Sequence, residues 1–123
     1  MKLLWQATLP VKTVSPNKQE HWTAKKNRND LLCWWLTYYW CKDSPQVQLP
    51  CTVKVSRIAS RLLDEHDNLR MALKPAIDAI ADKIIPGLAP GRADGDKRIT
   101  WEYGQRKPEK GRQPSVEIVI YQQ

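Results

Sequence analysis

Apolar and polar residues alternate from Lys2 to Leu9, with Leu3, Trp5, Ala7 and Leu9 on one side and Lys2, Gln6 and Thr8 on the other. A period of two is that of a strand, and Pro10, which has no amide to donate, ends it. The following VKTVSPNKQEHWTAKKNRN is polar and basic, with turn chemistry at Ser-Pro-Asn. From about Lys25 to Tyr39 the period becomes helical, carried by Leu31, Leu32, Trp35, Leu36 and Tyr39. The run Cys33 to Trp40 also has the aromatic content of a strand. KDSPQVQLP reads as a loop, and Cys51 to Ser60 alternates again, Val53 and Val55 against Thr52, Lys54 and Ser56.

The clearest helix comes next, with Leu69, Leu73, Ala76, Ile77, Ile80 and Ile84 on one face and Asp67 or Asn68 able to cap it. Pro75 deletes one backbone bond, so a kink or a restart is expected there. IPGLAPGRADGDKR is a Gly/Pro-rich loop. Arg98 to Tyr103 alternates as a third strand, GQRKPEKGRQP is a basic loop, and Val116 to Tyr121 is a fourth strand. The order β-α-β-α-β-β predicts a small α+β domain spanning 1–123, with a mixed or antiparallel sheet of about four strands and two main helices.

Composition alters this picture little. Apolar content of 41% and charged content of 27% argue against a disordered chain. Six Trp and four Tyr with no Phe supply aromatic faces with polar edges, suited to a core, an interface or a nucleobase contact. Charge alters it more: +7 points to a polyanion, nucleic acid more commonly than an acidic membrane surface, with a merely soluble basic surface as the alternative. Cys33, Cys41 and Cys51 are odd in number and lack a CxxC pair. They read as packing residues in a reducing cytoplasm rather than as a disulfide framework or zinc site. The opening residues carry too short an apolar run for a signal peptide, and no window reaches 18 apolar residues, so a soluble cytoplasmic protein is expected.

Two acidic groups stand out against the positive charge. Asp64, Glu65 and Asp67 precede the second helix, and Asp94 and Asp96 precede the third strand. Mg²⁺ takes one or two carboxylates, with water and substrate phosphate filling its remaining positions, and such an ion would relieve the repulsion among the acids. In phosphodiester hydrolysis it activates water and steadies the leaving oxygen. Helix cap and Asp-Gly turn are the structural alternatives. Asp67, Arg70, Lys74 and Asp78 recur at intervals of three and four along one helical stripe. Lys74 and Asp78 then form either a solvated ion pair or, for Lys74, a contact with phosphate, a metal-bound hydroxide or the leaving group. His66 reads as an exposed loop residue. Trp22 can stack on a base with His21 on a phosphate, or Trp22 can pack with His21 exposed.

These residues are familiar in combination. LDEHDNL, LKPAIDAI and ADGDKRITW, with LP and SPNKQEHW near the start, resemble the RusA family of Holliday junction resolvases, particularly its divergent phage and prophage members. In that family a D-x-D-N-L segment opens a helix with a K-x-x-x-D pattern, and a D-D turn precedes the next strand. The resemblance covers nearly the whole chain as short motifs separated by variable stretches. It implies a homodimeric α+β nuclease that uses Mg²⁺, with Mn²⁺ as a substitute, to nick branched DNA symmetrically in a bacterial or phage-infected cell. By position it makes Asp67, Glu65 and Asp94 metal ligands, with Asp64 a rival to Glu65, and Lys74 an assisting catalytic group. Glu65 stands where the family has Asp, Ala93 replaces the partner of Asp94, and Lys74 and Asp78 match only with three residues inserted after Leu69. On the same reading a four-way junction is held by His21, Trp22, Lys25, Lys26, Arg28, Asn68, Arg70, Lys97, Arg98, Arg106 and Lys107. A DNA-binding protein of this fold without cleavage is the alternative, with the basic loops from Lys12 to Arg28 and Arg106 to Arg112 carrying the function. The aromatic run Trp34 to Trp40 belongs either to the dimer interface or to the core.

Overall fold

The computed structural model describes residues 2–14, 21–63, 68–87 and 92–123. Its elements run β1 (Lys2–Leu9), α1 (Trp22–Asp43), β2 (Cys51–Ile58), α2 (Asn68–Ile84), a 3₁₀ turn (Ala93–Gly95), β3 (Ile99–Arg106) and β4 (Ser115–Gln122). The α+β expectation holds: four strands form one mixed sheet in the order β1-β4-β2-β3. β4 is antiparallel to both β1 and β2, whereas β2 and β3 are parallel. A parallel pair needs a crossover, and α2 supplies it.

Period-two alternation builds the inner face. Val53 and Val55 on β2, Val116, Ile118 and Ile120 on β4, and Trp5, Ala7 and Leu9 on β1 join Leu32 and Leu36 of α1 and Leu69, Leu73, Ala76, Ile77 and Ile80 of α2 in one core. Both helices therefore cover the same face. The apolar face expected for α2 is buried, with Ile84 half-buried at its end. Asn68 is already helical, and position 67, where the cap would fall, lies outside the described residues. The helix does not restart at Pro75 but runs through it; the missing amide would have bonded the carbonyl of Met71, a residue on the exposed side.

Four local expectations change. The alternation predicts Leu3 on the inner face, but a bulge between Leu3 and Trp5 shifts the register, leaving Leu3 exposed and Leu4 packed against the core. The run Cys33 to Trp40 is helical, and α1 is seven residues longer than the Lys25 to Tyr39 span (22 against 15). Its ends explain this. His21 Nδ1 accepts the Thr23 amide at 3.2 Å, while Ser44 adopts a left-handed conformation, donates its amide to the Trp40 carbonyl at 2.8 Å and is followed by Pro45. Cys33 and Cys41 are exposed, not packed; only Cys51 is buried. Lastly, β3 extends to Arg106, so Gly104, Gln105 and Arg106 belong to the sheet and not to the basic loop.

Candidate functional site

The β2-α2-β3 crossover carries most of the candidate residues. Its acidic segment, Asp64, Glu65, His66 and Asp67, lies outside the described residues, and so do Ser15 to Glu20 of the N-terminal loop. The later acid is described. Asp94 sits in the 3₁₀ turn, whose neighbour Ala93 is fully buried. Alanine thus fills the position where the resemblance would place a second Asp. Trp101 of β3 donates its indole N–H to the Asp94 carbonyl at 3.1 Å, holding the turn against the sheet edge.

From that position the Asp94 carboxylate accepts a hydrogen bond from Lys74 Nζ, on the middle of α2. Lys74 also lies 3.0 Å from Asp78 Oδ1, one helical turn further on. The expected i,i+4 pair exists, and the structure adds Asp94 to it. The bond to Asp94 first, and the contact with Asp78 second, hold the Lys74 pKa above its ordinary value, so the side chain is an ammonium. Asp78 Oδ1 is buried and has ion-pair attraction without a donated hydrogen bond from any described residue. Two carboxylates converging on one point suit a cation; the Lys74 ammonium takes that place here, and a hard ion, which prefers oxygen donors, would compete with it. Among the described residues, however, no three His, Cys, Asp or Glu side chains gather at one point. Completing a metal site would need residues 64–67.

The stripe read from the sequence faces the β3 edge as well as solvent. Arg70, one turn before Lys74, places its guanidinium 5.9 Å from the centre of the Tyr103 ring. Asn68 is half-buried at the helix start. Asp96 is not a companion for Asp94: it accepts the Arg98 amide at 2.9 Å and the guanidinium at 3.0 and 2.9 Å, which depress its pKa to about 2. Arg98 is accordingly engaged in its own turn, and Lys97 is exposed beside it.

The remaining DNA-contact candidates divide between two places. At the start of α1, Trp22 is 69% exposed, which decides against the packed alternative, while His21 serves as the helix cap. Lys25 is exposed there, Lys26 pairs with Asp30 at 2.8 Å on the surface, and Arg28 is half-buried. At the opposite end of the chain, the β3-β4 connection turns at Gly111, whose φ of 82° suits a residue without Cβ. It borders a cleft of about 590 Å³ that includes Pro10, Ile58, Arg106, Lys107, Arg112 and Pro114. Arg106 is held by Glu117 at 3.2 and 3.0 Å; Lys107, Lys110 and Arg112 make no ion pair among the described residues.

Two residues escaped the sequence reading. Arg57 and Gln105 are register partners at the ends of β2 and β3. They continue the inward rows Cys51, Val53, Val55 and Ile99, Trp101, Tyr103, so their inward placement was available from the alternation alone. Arg57 is buried, and burial lowers its pKa from the ordinary arginine value. No protein-family model matches the chain. No curated protein matches it either. No helix among the described residues is long and apolar enough to cross a membrane.

Proposed function

We propose that this protein is a Mg²⁺-dependent endodeoxyribonuclease of the RusA type, acting on branched DNA such as a four-way junction in recombination, repair or phage DNA processing. The observation that carries the reading is the meeting of Asp94 with Lys74 and Asp78 on α2, the helix that begins one residue after Asp67. Carboxylates distant in sequence thus share one lysine on the polar stripe of the crossover helix. Asp94, Asp67 and Glu65, with Asp64 in reserve, are the residues that would hold Mg²⁺ or Mn²⁺. When bound, the ion supplies an activated water and charge stabilisation at the leaving oxygen. Lys74 orients Asp94 through their hydrogen bond, and its ammonium can turn to a scissile phosphate once the carboxylates have another cation. Arg70, Lys97, Lys107 and Arg112 offer exposed cations to flanking phosphates, and Trp22 an open face to a base.

A four-way junction has two-fold symmetry, and a symmetric dimer presents two equivalent sites to it. The surface we assign to that dimer is the outward face of α1, where Leu31, Trp34 and Tyr38 are 47%, 59% and 47% exposed. They stand at helical intervals of three and four, and the Trp34 and Tyr38 rings stack. Large side chains clustered in solvent in this way mark an interaction surface. The cytoplasm of a bacterial or phage-infected cell is the compartment that goes with this activity.

The test uses a synthetic four-way junction with Mg²⁺ or with EDTA, comparing the wild-type protein with Asp67→Asn and Asp94→Asn. Paired, Mg²⁺-dependent nicks lost in both variants support the nuclease. A second reading, junction binding without cleavage, is favoured by one feature: Lys74 already places a cation between Asp78 and Asp94. Salt-sensitive binding with no nicks in either metal would select it.

A further inference from the structure

The helix-facing surface of the parallel pair is apolar until its last row, where Arg57 and Gln105 stand side by side. Both reach the same stretch of chain. Gln105 grips Leu63 at two points: its Oε1 accepts the Leu63 amide at 2.9 Å and its Nε2 donates to the Leu63 carbonyl at 2.7 Å. One side-chain amide thereby satisfies both backbone groups of a residue outside the sheet, as a neighbouring strand would. Arg57 donates Nη1 to the Arg61 carbonyl at 2.5 Å and Nε to Thr13 Oγ1 at 2.8 Å, tying this stretch to the segment after β1.

We infer that Arg57 and Gln105 form a positioning bracket that fixes residues 61–63, the described residues that lead directly into the acidic segment beginning at Asp64. Three features support the assignment. The two side chains are adjacent in register and act on residues two apart, so the pair constrains a direction as well as a point. The gripped residue is the immediate neighbour of Asp64. Finally, Arg57 is only 7% exposed, and its described acceptors are a hydroxyl and a carbonyl, not a carboxylate. A neutral donor would hold one carbonyl at a lower desolvation cost. The guanidinium instead donates at two points, Nε to Thr13 and Nη1 to Arg61, and so ties the segment after β1 to residues 61–63. The carboxyl ends of parallel strands are also where α/β sheets present their ligand-binding loops. Neither residue touches the reacting atoms on this view; each acts through the backbone it holds. The proposal rests on the reading of residues 64–67 as catalytic.

Amide hydrogen exchange and junction cleavage together test it, in the wild-type chain and in Gln105→Ala, Gln105→Glu and Arg57→Met. In Gln105→Ala the Leu63 amide should exchange about tenfold faster while β2, β3 and β4 keep their protection. Gln105→Glu, whose carboxylate still accepts the Leu63 amide, should restore most of that protection. Cleavage by Gln105→Ala should fall about 10²-fold in kcat at unchanged KM, as expected for misplaced groups and not for lost binding. Arg57→Met should reproduce the kcat loss; if it does not fold, the half-buried Gln105 still decides. Unchanged exchange at Leu63, a rise spread over the whole sheet, or full cleavage with Leu63 unprotected would each overturn the bracket. Failure of the wild-type protein to cut any junction sinks the nuclease reading instead, and the Leu63 exchange then judges by itself whether the two side chains hold the chain there.

Discussion

The two helices cover the same sheet face, yet they treat their outer sides differently. α2 buries a continuous apolar face, and its polar stripe is engaged from within: Lys74 with Asp78 and Asp94, Arg70 with Tyr103. α1 buries only Leu32 and Leu36 completely, supports them with the half-buried Trp35, Tyr39 and Trp40, and turns Leu31, Trp34 and Tyr38 to solvent. Trp40 packs edge-on against Trp5, whose indole donates to Asp43 at 2.9 Å, so the inner side of α1 is well anchored. The acids beside α2 are thus partnered by Lys74 within the chain, whereas the outward aromatic rings of α1 have no cover among the described residues.

The contrast breaks most easily in the core. Leu73→Ala on α2, at a fully buried site, should destabilise the fold by about 2–5 kcal/mol in denaturant titration, whereas Trp34→Ala on α1 should stay within about 0.5 kcal/mol. A comparable loss in Trp34→Ala would mean that the outward face belongs to the monomer's own packing. Next in size is Lys74→Met, expected to lower junction cleavage by about 10²-fold while altering stability by no more than about 1 kcal/mol, because the pair is half-exposed. Third, the double variant Trp34→Ala/Tyr38→Ala should weaken self-association by about tenfold or more in sedimentation velocity, with Met71→Ala on α2 as the silent control.

The smallest effect is one of pH and belongs to the α2 side alone. Asp96 has its pKa depressed to about 2 by the Arg98 guanidinium and amide, so its contribution is present above about pH 4, the unfolded-chain value, and is lost as pH falls toward 2. An NMR titration should therefore move the Trp101 indole N–H, which reports on the 3₁₀ turn, in that window while the α1 aromatic signals stay in place. Asp96→Asn should remove the dependence. Movement of both sets together would show that acid acts on the whole fold and not on this turn.

Much of the fold was legible because its pattern is periodic. Period two located all four strands, and period 3.6 located α2 almost residue by residue, since one side of each meets a single core. Where a residue answers to something outside its own element, pattern reading failed. Leu3 follows the alternation of β1 but yields to a bulge in the pairing with β4. The end of α1 is decided by a left-handed serine rather than by hydrophobicity. At the candidate site, Lys74 and Asp78 could be paired from their spacing, but Asp94 joins them only because Trp101 and the buried Ala93 dock its turn beside α2.

The sequence by itself determined the element order, the inward rows of β2, β3 and β4, the amphipathic second helix and the chemical inventory of acids and cations. Local periodicity is written into consecutive residues, so no partner is needed to read it. Only the tertiary structure decided that β2 and β3 run parallel, that Lys74 is shared by acids 16 positions apart (Asp78 and Asp94), and that Arg57 and Gln105 converge on residues 61–63. Each of those is a contact between segments distant along the chain, fixed by packing and register that short-range pattern does not contain.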